Sequence, residues 1–197
     1  MNPNVPGRSA ITGSQDDRVW DFLSLSAGEG AENFTKHPHL TLGITAKSVN
    51  AVVTVPHAVN ATMRRNITNL GEDGFRKLVE TIVENLKTLL EEHTGATPWF
   101  TGLQRRYPSQ RATPIIDAAI EFDLRTALPS RGPTKTQPTW LDAAYRAFVN
   151  KEGSNYQIQI GVVFRYDRCA EALGGANAIN VIEKVWLACK PLINLSR

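Results

Sequence analysis

The chain has little cysteine and histidine, two and four residues respectively, and no apolar run near the roughly 18 residues that span a bilayer. Cys169 and Cys189 lie far apart, in or beside helical stretches, and no Cys/His spacing suits a zinc site. Buried free thiols are therefore expected, and no metal-ligating residues are assigned. There is no Gly-rich phosphate loop and no Ser/His/Asp-type signature, which removes the common nucleotide-fold and serine-hydrolase readings. The N-terminus, MNPNVPGRSAITGSQDDR, lacks the basic-then-apolar order of a secretory leader, so a cytoplasmic location with no membrane partner is expected. The Asn-x-Ser/Thr triplets at Asn33, Asn60, Asn66 and Asn194 are then accidental.

What remains is an ordinary globular composition, 42% hydrophobic and 21% charged, over 197 residues. That length suits a flexible N-terminal arm over residues 1–15 and a single α+β domain over 16–197. The net charge of +3 is unevenly spread. Gly71–His93 carries six acids against three bases, whereas Ala96–Thr139 carries six arginines and lysines against three acids. An acidic helix face and a basic loop region follow from that asymmetry.

Periodicity supplies the elements. Asp16–Leu25 reads as a short helical or anchoring patch around Trp20 and Phe22. Leu40, Leu42 and Ile44 alternate with His39, Thr41 and Gly43, and Val52–Val55 continues as a second strand ending at Pro56. Phe75, Leu78, Val79, Ile82, Leu86, Leu89 and Leu90 predict a long helix over Gly71–His93. Ala96–Thr113 reads as a loop punctuated by prolines, and Thr113–Leu128 as a long strand. Thr139 with Asp142 forms a capping-box pattern ahead of a helix over Trp140–Val149. Tyr156–Tyr166 shows the clearest alternation, and Asn177–Lys190 is a last helix. The order ββα-βαβα, with amphipathic helices, predicts a largely antiparallel sheet of four or more strands with helices packed on one face. The polar faces of the later strands are expected to meet solvent or a groove.

Three sets of residues offer chemistry. The first is the hairpin's histidines, His37, His39 and His57. Register decides their relationship, because the aliphatic residues of both strands must share a face. Pairs whose numbers sum to 95, such as Leu40 with Val55, satisfy this. They put His57 on the apolar side and His37 and His39 on the other. The stretch HPHLTLG resembles one half of the signature of the 2H phosphoesterases, whose site is built from two His-x-Ser/Thr strands. Here His57 is followed by Ala58-Val59 and His93 by Thr94-Gly95. One half-motif cannot assemble that pair, and what it leaves is phosphate contact by His39 and Thr41.

The second set is Glu121 and Asp123 on one face of a strand, about 6.5–7 Å apart. They are suitably placed to share a hydrated Mg²⁺ in a nuclease-like hydrolase, with His39 as a third catalytic candidate. Asp117 lies on the same face. Outside that reading no cofactor is expected.

The third set is the segment WFTGLQRRYPSQR. Arg105, Arg106 and Arg111 with Tyr107, extended by Arg64 and Arg65, suit phosphates and unstacked bases of RNA or DNA. The leading expectation is therefore nucleic-acid or other polyanion binding. The alternatives are metal-dependent phosphodiester hydrolysis, or a non-catalytic subunit that docks a protein partner or a second copy through the N-terminal arm and the Trp20/Phe22 patch.

Overall fold

The computed structural model describes residues 13–15, 18–26, 36–57, 61–106, 116–128, 139–150 and 155–197. Seven strands form one antiparallel sheet: β1 (Gly13–Gln15), β2 (Arg18–Ser24), β3 (His39–Thr45), β4 (Ser48–Val55), β5 (Ala96–Arg105), β6 (Ile116–Asp123) and β7 (Tyr156–Arg165), in the order β1-β2-β3-β4-β7-β5-β6. The helices are α1 (Thr62–Asn69), α2 (Gly71–Asn85), α3 (Lys87–Glu92), α4 (Leu124–Ala127), α5 (Trp140–Val149), α6 (Tyr166–Cys169), α7 (Gly175–Ala188) and α8 (Lys190–Ile193). This is the α+β class that the hydrophobic pattern implies. Among the described residues no helix is long and apolar enough to cross a membrane.

Alternation sorts the sheet into two faces. One is apolar in continuous cross-strand rows, for example Leu23, Leu40, Val53, Ile160, Phe100 and Phe122. Phe100 and Phe122 stack with centroids 4.7 Å apart in that row. Met63, Ile67, Phe75, Val79, Ile82, Leu141, Phe148 and Val185 bring α1, α2, α5 and α7 onto this face and complete a single core. Both cysteines lie in it as free thiols.

Several elements follow their local pattern. The capping box closes as its residues imply, with Thr139 Oγ1 accepting from Asp142 N and the Asp142 carboxylate accepting from Thr139 N at 2.9 Å. The expected helix over Gly71–His93 runs as α2 and α3, divided at Leu86. The β3–β4 hairpin has the required parity but is shifted by one pair along the strand, with Leu40 opposite Val53.

Two readings need correction. Asp16–Leu25, expected as a helical patch, contains β2, and Phe22 is buried rather than offered to a neighbour. Ala96–Thr113, expected as a loop, contains β5, which lies inside the sheet between β7 and β6. Pro98 and Gly102 disguised it. Pro98 pairs with Val162 on β7, but β6 reaches only to Trp99, so at Pro98 one side of β5 has no strand to bond. At Gly102 an added Cβ would stand 1.9 Å from the Tyr156 hydroxyl oxygen, so the position takes no side chain.

Candidate functional site

Register places one residue from each of six strands in a single row on the face opposite the described helices: Ser24, His39, Thr54, Gln159, Thr101 and Glu121. All six are polar, whereas the row beside it on the same face runs Phe22, Thr41, Val52, Gly161, Trp99 and Asp123. This face was expected to meet solvent or a groove. Its middle is instead buried at His39, Thr41, Thr54, Gln159, Gln157 and Thr101.

Buried polar groups demand partners, and three of the four buried members of this row, His39, Thr54 and Gln159, have them. The Thr41 and Thr54 hydroxyls are 2.6 Å apart, and Gln159 Nε2 donates to Thr54 Oγ1 at 2.9 Å. His39 Nδ1 lies 2.8 Å from the His37 carbonyl oxygen, and the ring meets Phe22 edge-on at 5.1 Å. Burial pushes the His39 pKa down to about 4, so the ring is neutral at physiological pH. Such a histidine is an apolar-packed, hydrogen-bonded member of the sheet. His57 is buried just beyond β4. Among the described residues no three of His, Cys, Asp and Glu gather as a metal-ligand set.

Towards β5 the satisfaction stops. Thr101 is only 1% exposed, yet its hydroxyl makes no hydrogen bond among the described residues. Arg105, four residues further along β5 and just past a register shift in its pairing with β6, has Nε and Nη1 buried without a partner. Burial lowers the pKa of its guanidinium from the ordinary arginine value. Between them on β7 stands Gln157, opposite Leu103 and 7% exposed.

The structure distributes the expected catalytic residues rather than collecting them. His39 on β3 and Glu121 on β6 lie far apart in the polar row, separated by β4, β7 and β5, on the order of 19 Å of sheet. Asp123 accepts from Arg125 N at 2.9 Å as the cap of α4, and its carboxylate is paired with the Arg125 guanidinium at 2.6 Å. Asp117 is likewise held by Arg106, with Nη2 at 2.7 Å. Only Glu121 remains exposed with no hydrogen-bond or ion-pair partner among the described residues.

The expected arginines fare differently. Tyr107 and Arg111 lie outside the described residues. Arg64 is 3% exposed and is a structural residue, not a surface one. Its guanidinium donates to the Tyr156 carbonyl at 2.7 Å and to the Phe148 carbonyl, and lies over the Phe148 ring. This corrects its assignment to phosphate binding. Arg65, the next residue on α1, is exposed and donates to Thr62 Oγ1 at 3.4 Å. Where β7 begins, Arg105 N donates to the Asn155 carbonyl at 3.1 Å, and Asn155 Nδ2 donates to the Arg106 carbonyl. The backbone of Arg105 and Arg106 thus lies beside Asn155, next to the Tyr156 carbonyl that Arg64 holds. The burial of Thr101 and Gln157 was not legible in the sequence, because a threonine and a glutamine on alternating strands look like ordinary polar positions.

Compared with known proteins, the chain matches no family model, no curated protein and no solved structure.

Proposed function

We propose that this protein binds nucleic acid or another polyanion at the end of the sheet where β5 finishes and β7 begins. The observation that carries this is the Arg105 guanidinium, whose Nε and Nη1 are buried without an internal acceptor. A desolvated guanidinium with free donors is well suited to an anionic oxygen, since its planar fork matches phosphate geometry and it stays charged. Arg106, the next residue in the chain, adds positive charge beside it. Arg106 keeps its ion pair with Asp117 and so contributes less. The polyanion reading is preferred over hydrolysis because Asp117 and Asp123 are paired with arginines and His39 is far from Glu121, while the buried Arg105 donors lack an acceptor.

The test is binding of fluorescent single-stranded RNA and DNA across a salt series. Affinity is expected to fall steeply between about 50 and 200 mM salt, and Arg105→Gln to weaken binding and reduce the salt slope by about one. Binding that ignores salt, or none to either nucleic acid, overturns the proposal.

A subunit role has a separate observation behind it. Ile179 and Leu187 on α7 and Trp140 on α5 are large apolar side chains left more than half exposed. Isolated apolar side chains are common on surfaces, but bulky ones concentrate where partners dock. Solution mass by light scattering tests it, and a strict monomer up to high concentration counts against self-association.

A further inference from the structure

The helices cover only part of the sheet's apolar face. Among the described residues they make their main contacts with the sheet on β4, β5, β6 and β7, whereas β3 and β2 lie beyond β4 in the strand order. The apolar alternation continues there nonetheless. Leu23, Leu42 and Ile44 share the face of Leu40, and Leu23 and Ile44 are 37% and 43% exposed. An apolar sheet face of this kind is normally closed by a second layer. Beside this ledge stands α7, which packs on β4, the strand next to β3. Lys184 reaches Glu92 at 3.4 Å, so α3 lies on one flank of α7. Trp186, about 200° further round the helix, is on the opposite flank and only partly buried. The outer side of α7, away from the core residues Val181 and Val185, carries the exposed Ile179 and Leu187.

We propose that a second copy of this chain covers the ledge, in a two-fold dimer where α7 of each copy lies across β2 and β3 of the other. This rests on the subunit reading above and names the partner as the chain itself. Ledge and helix are two apolar surfaces of one molecule. A foreign partner on either one leaves the other in water, whereas an isologous contact covers both, once on each copy.

The dimensions of the two surfaces agree. Ile179 and Leu187 are two turns apart, about 12 Å along the helix. Leu23 is opposite Leu40, so Ile44 stands one strand across and four residues along from it, about 14 Å away. The 14 residues of α7 make a helix about 21 Å long and about 10 Å wide. Two reciprocal seats then have a footprint of about 400 Å², or about 800 Å² counting both surfaces. Contact between the two α7 flanks at Trp186 brings the total to the roughly 1,000 Å² of a specific interface. Charge gives the contact a sign. Glu183 is exposed midway between Ile179 and Leu187, and Asp21 is on the ledge opposite Leu42. Each seat therefore brings together acids whose repulsion salt screens, so the dimer holds or tightens as salt rises. Nucleic-acid binding has the opposite dependence.

The experiment is sedimentation equilibrium of the full chain from about 1 to 200 μM, at low and high salt. The wild type is expected to approach twice the chain mass. Ile44→Glu on the ledge and Ile179→Glu on the helix each weaken association tenfold or more, because either one puts a charge into an apolar contact. Trp140→Glu, on α5 and outside the contact, changes it less than twofold. Both test positions are open to solvent, so the melting temperature of the dilute protein stays the same. Mixed single-cysteine variants test the contact without adding charge. Ile44→Cys copies mixed with Ile179→Cys or Leu187→Cys copies are expected to form a disulfide between chains under mild oxidation, and Ile44→Cys alone forms none. A strict monomer over the whole range overturns the dimer and self-association through any surface. Association that survives both glutamate variants, or a dimer in which neither mixture cross-links, overturns this contact and leaves the subunit reading standing.

Discussion

The Arg64 guanidinium donates to the Tyr156 carbonyl oxygen at 2.7 Å, across 92 residues of chain, and so joins α1 to the first residue of β7. Its other nitrogen reaches the Phe148 carbonyl near the end of α5. One buried cation thereby satisfies two backbone acceptors and holds three elements at the end of the sheet that carries Arg105. Burial lowers its pKa to about 10, which still leaves it charged at neutral pH. Replacing it with the similarly shaped Arg64→Met leaves both carbonyls unmet, and is expected to lower the unfolding free energy by about 2–4 kcal/mol in urea titrations. Because Arg64 touches no solvent, nucleic-acid affinity of the folded fraction should change less than twofold. A tenfold loss of affinity in a stably folded variant would return Arg64 to the binding surface.

His39 makes stability depend on pH. Its folded value of about 4 lies below the ordinary 6.5, so between these limits the unfolded chain holds a proton that the folded chain does not. Stability from neutral His39 is fully present above pH 6.5 and is lost as pH falls towards 4, by an amount on the order of 3 kcal/mol. Urea midpoints measured from pH 7.5 to 4 should show that decline. Subtracting the profile of His39→Gln should remove most of it; an unchanged slope in the variant would assign the acid sensitivity elsewhere.

Asp123 separates a structural carboxylate from a catalytic one. It caps α4 and pairs with Arg125, so Asp123→Ala is expected to cost about 1 kcal/mol of stability. Under the polyanion reading the same variant leaves oligonucleotide affinity within twofold. Magnesium-stimulated cleavage of a phosphodiester by the wild type, abolished in Asp123→Ala with the fold intact, would revive the hydrolase reading.

Gly161 marks the closest approach of β7 to β4. A Cβ there would meet the Ala51 carbonyl oxygen at 2.1 Å and Val52 Cα at 2.6 Å, both backbone atoms that cannot rotate away. Gly161→Ala is therefore expected to destabilise by about 1–3 kcal/mol, read as a lower melting temperature. A neutral substitution would mean that the two central strands can part without loss.

Some features of this protein follow from short stretches of chain. The alternation in Tyr156–Arg165, the pairing of Thr139 with Asp142, and the apolar stripe through Phe75, Val79 and Ile82 each concern residues within one element, where local geometry dictates the outcome. The parity of the β3–β4 hairpin was legible for the same reason, since a shift by one residue would have turned Leu40 and Leu42 away from the core. The sequence by itself therefore determined the α+β class, most of the elements and which face of each strand is apolar. It could not determine what lies beside what. Pro98 and Gly102 break the strand pattern locally, and only β6 and β7, both later in the chain, make β5 a strand. The fate of Arg64 was decided by carbonyls 84 and 92 residues away. Thr101 and Arg105 were left with buried, unpartnered donors only by the strands packed around them. Strand pairing and desolvation are long-range effects, so the tertiary structure alone decided which arginine supports the fold and which one is left with donors to offer a ligand.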